Sequence, residues 1–223
     1  MLDAREPGSS DGQAVLDSAD PLPAESSLRD KLLVLHRWAS LITGAFLVLV
    51  SVTGSILSFE DPASPMRTVR LLHTRLLMDE PGEWIVTTTT ITALAVVIIG
   101  VVLWWPDKIW KVRTSASWKR INFDLHHLLG ITTSVIAIVM LVGALAFQLG
   151  EEEEEEGERE RPAVVQSTPE ALPDNLALNI HTGAFGGMTT TVIWSLASLS
   201  LASQALTGFV MWWNRRKRPA VSD

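Results

Sequence analysis

Apolar residues along this chain gather into four blocks, near residues 33–59, 84–105, 127–149 and 183–213, separated by polar and charged stretches. Each block is about 20 residues or longer, enough to cross a hydrocarbon core about 30 Å thick. None carries Asp, Glu or Lys at its centre. In lipid, only a helix or a closed barrel satisfies its own backbone groups. The pattern predicts an all-α integral membrane protein, a bundle of four transmembrane helices. The first block is too long for the apolar region of a signal peptide, and Glu60-Asp61-Pro62 is a poor cleavage site. It is expected to be a retained helix.

Charge sets the expected orientation. Arg29, Lys31, Arg37, Lys108, Lys111, Arg113, Lys119, Arg120, Arg215, Arg216, Lys217 and Arg218 flank the blocks on one side; Arg67, Arg70, Arg75, Arg159 and Arg161 lie on the other. Basic flanks stay cytoplasmic, so both termini are expected there. Trp104, Trp105, Trp110, Trp118, Trp212 and Trp213 fall at that same boundary, as an interfacial aromatic belt does. The net charge of −7 comes from one place, since eight glutamates lie within residues 151–160. That run lies in an expected acidic outer loop over 150–180, read as a solvated spacer. Residues 1–28, rich in Ser, Asp, Pro and Gly, are expected to be a disordered cytoplasmic tail. The four-helix domain then occupies 29–218, and 219–223 is a C-terminal tail.

A duplication runs through the blocks. Leu72-His73-Thr74 matches Ile180-His181-Thr182, and Gly100 to Trp105 matches Gly208 to Trp213, both at an offset of 108. Leu35-His36 aligns with Leu125-His126, and Gly54 to Phe59 aligns with Gly143 to Phe147 in a register one residue different. Each half holds two spans, so the halves are expected to be parallel repeats related by an axis along the membrane normal. Small residues at Gly44, Ser51, Gly54, Ser58, Gly143, Ala144, Ser198 and Ala202 are expected to allow close helix contact.

The five histidines all sit at block ends. The expected topology puts His36 and His126 near the cytoplasmic face and His73 and His181 near the outer face, each pair opposed across the repeat axis. Two facing neutral imidazoles suit the iron of a b-type haem, one on each axial side. Haem propionates need cations, and Arg37, Arg70, Arg75, Lys119 and Arg120 are close in sequence to the four histidines. Two haems per chain would then relay electrons across the bilayer. Taken singly, each histidine could be an interfacial residue. Their repeat-equivalent placement is what favours a cofactor. His127 points about 100° from His126 on a helix and is read as an interfacial residue. Asp124 and Asn179 precede His126 and His181 by two residues, as N-caps or, less favoured, as hydrogen-bonding partners that tune a ligand. With no Cys, thiolate zinc sites, iron–sulfur clusters and covalent haem attachment are excluded. No Gly-rich dinucleotide fingerprint is present, so electrons would come from quinol or another redox protein.

The segments Leu35-His36-Arg37-Trp38, Leu72-His73-Thr74, Asp124 to Gly130 and Ile180 to Gly183, with the helix ends Leu103-Trp104-Trp105-Pro106 and Thr207 to Trp213, resemble the PepSY-associated transmembrane helix family. The resemblance covers roughly residues 30–218. It implies a bacterial inner-membrane protein of iron acquisition, with His36, His73, His126 and His181 as haem ligands and electrons passing outward to a ferric siderophore. Larger members carry periplasmic PepSY domains between helices, where this chain has short loops. A non-catalytic accessory subunit of an uptake system is the alternative. A metal transporter is a weaker one, because the helix centres lack ionisable groups.

Overall fold

The computed structural model describes residues 27–60, 65–105, 108, 110–160 and 176–216, with backbone alone over 151–160. The expected 1–28 tail lies almost wholly outside these residues, as do the 219–223 tail and residues 161–175 of the acidic loop. Helices α1 (Leu28–Leu57), α2 (Arg67–Arg75), α3 (Asp79–Trp104), α4 (Trp118–Glu160), α5 (Leu176–Thr182) and α6 (Gly187–Arg216) make up the fold, and no strand occurs among the described residues. Four stretches are long and apolar enough to span a membrane: Leu28–Leu57, Asp79–Trp104, Trp118–Gly150 and Ala184–Arg216. The protein is a multi-pass, all-helical membrane protein.

Helix boundaries follow local chemistry. Ser27 starts α1 as a capping box: its Oγ accepts from the Asp30 backbone N–H, and the Asp30 carboxylate accepts from that of Ser27. The first span therefore begins five residues before the apolar block does. Past Gly150, α4 continues as helix to Glu160, so the first third of the expected acidic loop is helical. Glutamate is a good helix former, and a helix already nucleated in the membrane need only propagate through the run.

The spans are apolar outside and small or polar inside. On α1, Leu28, Leu35, Ile42, Leu49 and Ile56 are exposed at every seventh position, while Thr43, Ser51, Thr53 and Ser55 are buried. A soluble helix would have the opposite distribution. Lipid solvates the large side chains, and small residues let the helices approach. Along the α1–α6 seam, Gly44 lies against Ala205, the Ser198 hydroxyl donates to the Ser51 carbonyl at 2.8 Å, and the Ser55 and Ser195 hydroxyls meet at 2.5 Å. The small residues Gly44, Ser51 and Ser198 do the work expected of them. Gly54 and Gly143 instead face the short helices α2 and α5.

Helix α1 packs against α3 and α6, and α4 packs against the same two, with no comparable contact between α1 and α4 or between α3 and α6. The spans thus form a ring in which α1 and α4 are diagonal, as are α3 and α6.

Candidate functional site: two opposed histidine pairs

The α1–α4 diagonal brings one histidine pair together, and the short helices α2 and α5 bring the other. His36 on α1 and His126 on α4 lie with ring centres 6.5 Å apart and planes at 85°. His73 on α2 and His181 on α5 lie 6.1 Å apart, at 36°. The pairings expected from the repeats are therefore the ones the fold makes.

A neighbouring helix fixes every ring through Nδ1. That of His36 meets the Val96 carbonyl of α3 at 3.1 Å, and that of His73 meets the Val50 carbonyl of α1 at 2.9 Å, with Thr53 Oγ1 at 3.1 Å. His181 Nδ1 meets the Met140 carbonyl of α4 at 3.0 Å. A carbonyl only accepts, so these three rings donate from Nδ1 and keep the lone pair on Nε2. His126 Nδ1 meets Thr207 Oγ1 at 2.9 Å. That hydroxyl already donates to the Ser203 carbonyl, so His126 donates to it and is left in the same tautomer. The Gln204 carbonyl also contacts His126, at the offset of 108 that separates it from Val96.

Glycines accompany all four histidines. A Cβ on Gly100 would lie 3.2 Å from His36 Cε1, one on Gly208 would lie 3.6 Å from His126 Cε1, and one on Gly54 would lie 2.8 Å from His73 Cε1. On Gly143 it would meet the His181 backbone nitrogen at 3.0 Å. Contacts on α1 and α4 also recur along the chain: fourteen residues separate His36 from Val50, and fourteen separate His126 from Met140.

The outer pair is carried on short helices held by tight turns. Leu76 and Leu77 adopt positive φ after α2. A Cβ on Gly82 would fall 1.6 Å from the Arg75 carbonyl oxygen, so only glycine lets α3 start directly over the end of α2. After α5 the chain turns at Gly183, with φ of 76°. Trp194 Nε1 on α6 donates back to the Ile180 carbonyl at 2.8 Å. Burial pushes the His73 imidazole down to about 4, helped by the neighbouring His181 ring and opposed by the Val50 hydrogen bond. Burial lowers His181 as well, against its Met140 hydrogen bond. Both outer rings are neutral at pH 7, the form that binds a metal.

Two imidazoles held this way can share one metal. A first-row metal binds an imidazole nitrogen at about 2 Å and the ring centre lies about 1.1 Å beyond, so two rings on one metal have centres roughly 6.2 Å apart. Both pairs are close to that spacing. No group of three or more His, Cys, Asp or Glu able to hold a metal ion occurs among the described residues. Two imidazoles fill two positions on a metal, so a group that brings its other ligands with it, as haem does, is the kind such a pair could hold.

Neighbouring polar residues depart from the sequence reading. Asp124 lies inside α4, six residues past its start, and so is not an N-cap; Asn179 likewise sits within α5. Asp124 is fully buried and points about 200° around the helix from His126. Its carboxylate accepts from the backbone N–H and Nε of Arg113, both at 3.2 Å, and pairs with Arg120 Nε at 2.9 Å. It anchors the loop before α4 and forms no hydrogen bond or ion pair with a histidine among the described residues. Of the five cations expected near propionates, Arg70 pairs with Glu60, Arg75 with Glu83 and Arg120 with Asp124. Only Arg37, stacked on Trp38, and Lys119 lack a carboxylate partner among the described residues. The His127 ring centre also lies 6.0 Å from that of His126, but the two are chain neighbours that leave one helix about 100° apart; His127 Nδ1 donates to the Phe123 carbonyl at 2.8 Å and its ring lies on Phe123 at 4.1 Å.

No curated protein and no solved structure matches this chain. The PepSY-associated TM region matches residues 60–177 and 174–215, which take in α2 to α6 and the histidines at 73, 126, 127 and 181, while α1 with His36 precedes the matched stretch. That match covers more than two thirds of the 223 residues, and the chain belongs to the PepSY-associated TM region family.

Proposed function

We propose that the protein is a haem b-binding electron-transfer protein of a bacterial inner membrane, with both termini cytoplasmic, reducing ferric iron or a ferric siderophore at the outer face. His36 and His126 would be the axial ligands of an inner haem, and His73 and His181 those of an outer one. The observation that carries the reading is the opposition of two histidine pairs, one across the α1–α4 diagonal and one between α2 and α5, at ring spacings of 6.5 and 6.1 Å. Bound haem supplies a one-electron ferric/ferrous couple.

The chain's own residues do the rest. Val50, Val96, Met140 and Thr207 hold each imidazole in the tautomer that presents Nε2. Gly54 and Gly100 leave their rings room that a methyl group would take. Large apolar residues cover the outside of the spans, where lipid solvates them. The overall reaction is one-electron transfer: a reduced quinol or redox protein on the basic-flanked side loses an electron, and chelated ferric iron on the other side gains it. Recurrence of the contacts at offsets of 90 and 108 supports descent of the two halves from one repeat.

A reduced-minus-oxidised spectrum of the purified protein, with haem quantified per chain, tests this. The expected value is near two, falling to near one in His73→Ala and in His126→Ala. Absence of any chromophore after expression with ample haem would overturn the reading in favour of an accessory subunit. Such a subunit should retain a protein partner on gentle solubilisation.

A further inference from the structure

A cavity of about 390 Å³ opens between the start of α4 and the end of α6, lined by Lys119, Arg120 and Phe123 on one side and Met211, Asn214 and Arg215 on the other, with Ser117 at its rim. Its size is that of a small-molecule site. The lining residues share one face of each helix, because 119 and 123, like 211 and 215, are one turn apart. Phe123 and Met211 give the cavity an apolar part. Lys119 and Arg215 bring cations with no carboxylate partner among the described residues. Arg120 adds a third, its charge shared with Asp124. Ser117 and Asn214 add neutral donors.

Position identifies the occupant. Trp118 and Trp213, both exposed, flank the cavity in sequence on its two helices, and such tryptophans mark headgroup level. An opening there meets lipid headgroups before it meets solutes. Basic pockets between helices on the positively flanked side bind anionic headgroups. The geometry points to a binding site for one anionic phospholipid, its phosphate between Lys119 and Arg215 and its glycerol end against Phe123 and Met211. Deeper between the same two helices, Asn122 Nδ2 donates to the Thr207 carbonyl at 3.0 Å and His126 bonds to Thr207. A lipid bridging Lys119 to Arg215 is thus a further tie between the helices that carry the inner histidine and its hydrogen-bond partner.

The test uses the full chain, stripped of lipid and free of haem, so it is independent of the electron-transfer reading. Binding of short-chain phosphatidylglycerol, phosphatidylcholine of the same chain length, and inorganic phosphate is followed by native mass spectrometry and tryptophan fluorescence. One phosphatidylglycerol per chain is expected, bound at least tenfold tighter than phosphatidylcholine. Lys119→Gln with Arg215→Gln should weaken it roughly thirtyfold, at about five- to sixfold per cation. Lys108→Gln with Lys111→Gln, on the same side but outside the cavity, should change it less than threefold. Equal binding of the two lipids, or equal losses in the two double variants, would overturn the site. Inorganic phosphate binding as tightly as the lipid would reassign it to a soluble phosphate ligand. Should the first double variant not fold, the preference of the parent chain between the two lipids decides.

Discussion

Replacing Gly54 with alanine puts a methyl group 2.8 Å from Cε1 and 3.3 Å from Nδ1 of His73. Carbon atoms rest at about 3.5–4.0 Å, so the ring must retreat by roughly 0.7 Å or more. Its Nδ1 hydrogen bond to Val50 is 2.9 Å long and is stretched or lost in the process. Overpacking of this kind costs about 1–3 kcal/mol and the hydrogen bond about 1 kcal/mol. Alanine returns up to about 1 kcal/mol of helix propensity, leaving a net loss of about 1–3 kcal/mol. Gly208→Ala is the control. Its methyl would lie 3.6 Å from His126 Cε1, an ordinary contact, so the propensity gain stands alone and the variant should be neutral or up to about 1 kcal/mol more stable. Thermal unfolding of both variants in detergent without haem, and the haem content of each after loading, read the difference. Gly54→Ala should melt lower and lose the outer haem first. Equal melting of the two, or a lower value for Gly208→Ala, would refute the assignment of Gly54 as the clearance for His73.

Three further outcomes follow from the same geometry. The rings of the two pairs cross at different angles, 85° and 36°, so haem-loaded protein should yield two distinct electron paramagnetic resonance signals. His73→Ala should remove one signal and His126→Ala the other; loss of both signals in either variant would refute two separate sites. Asp124→Asn should cost about 2–3 kcal/mol, below the range for a fully buried pair because Arg113 and Arg120 reach water. It should speed proteolysis between Lys111 and Arg113 without shifting the spectrum of the inner haem, and a shifted potential with an intact loop would place Asp124 with His126 instead. Finally, the His73 pKa is about 4 when folded against 6.5 when unfolded, so the unfolded chain binds more protons between those values. Haem-free protein should keep its full stability above pH 6.5 and lose about 3 kcal/mol of it as pH falls toward 4, and a flat unfolding midpoint from pH 7 to 5 would contradict that.

Spans and histidine pairings were legible because both rest on chain periodicity. Apolar length fixes the spans, and repeat offsets fix which histidines correspond. Hydropathy alone admits any ring order of four helices; the expected repeat axis, which opposes His36 to His126, is what puts α1 and α4 on a diagonal. Asp124 misled because two residues before a histidine at the edge of an apolar block looks like a cap. The helix actually starts at Trp118, and the charges that let an aspartate be buried come from Arg120 and from Arg113 in a preceding loop. Gly54 and Gly143 read as generic small residues. Their contacts are with α2 and α5, which are too short and polar to stand out in a hydropathy pattern. The Glu run resembled a loop by composition, and its helix is inherited from the span before it.

The fourteen-residue interval between the two histidine levels has a consequence for energetics. Four helical turns amount to about 21 Å of the roughly 30 Å hydrocarbon core. Charge moved from one level to the other therefore crosses about two thirds of the membrane voltage. At about 2.3 kcal/mol per charge per 100 mV for the full thickness, that is about 1.6 kcal/mol per electron per 100 mV. If electrons pass outward as proposed and the basic-flanked side is negative, each moves toward the positive side and downhill in energy, so an energised membrane would help drive reduction at the outer face, and an ionophore that discharges it would slow that transfer.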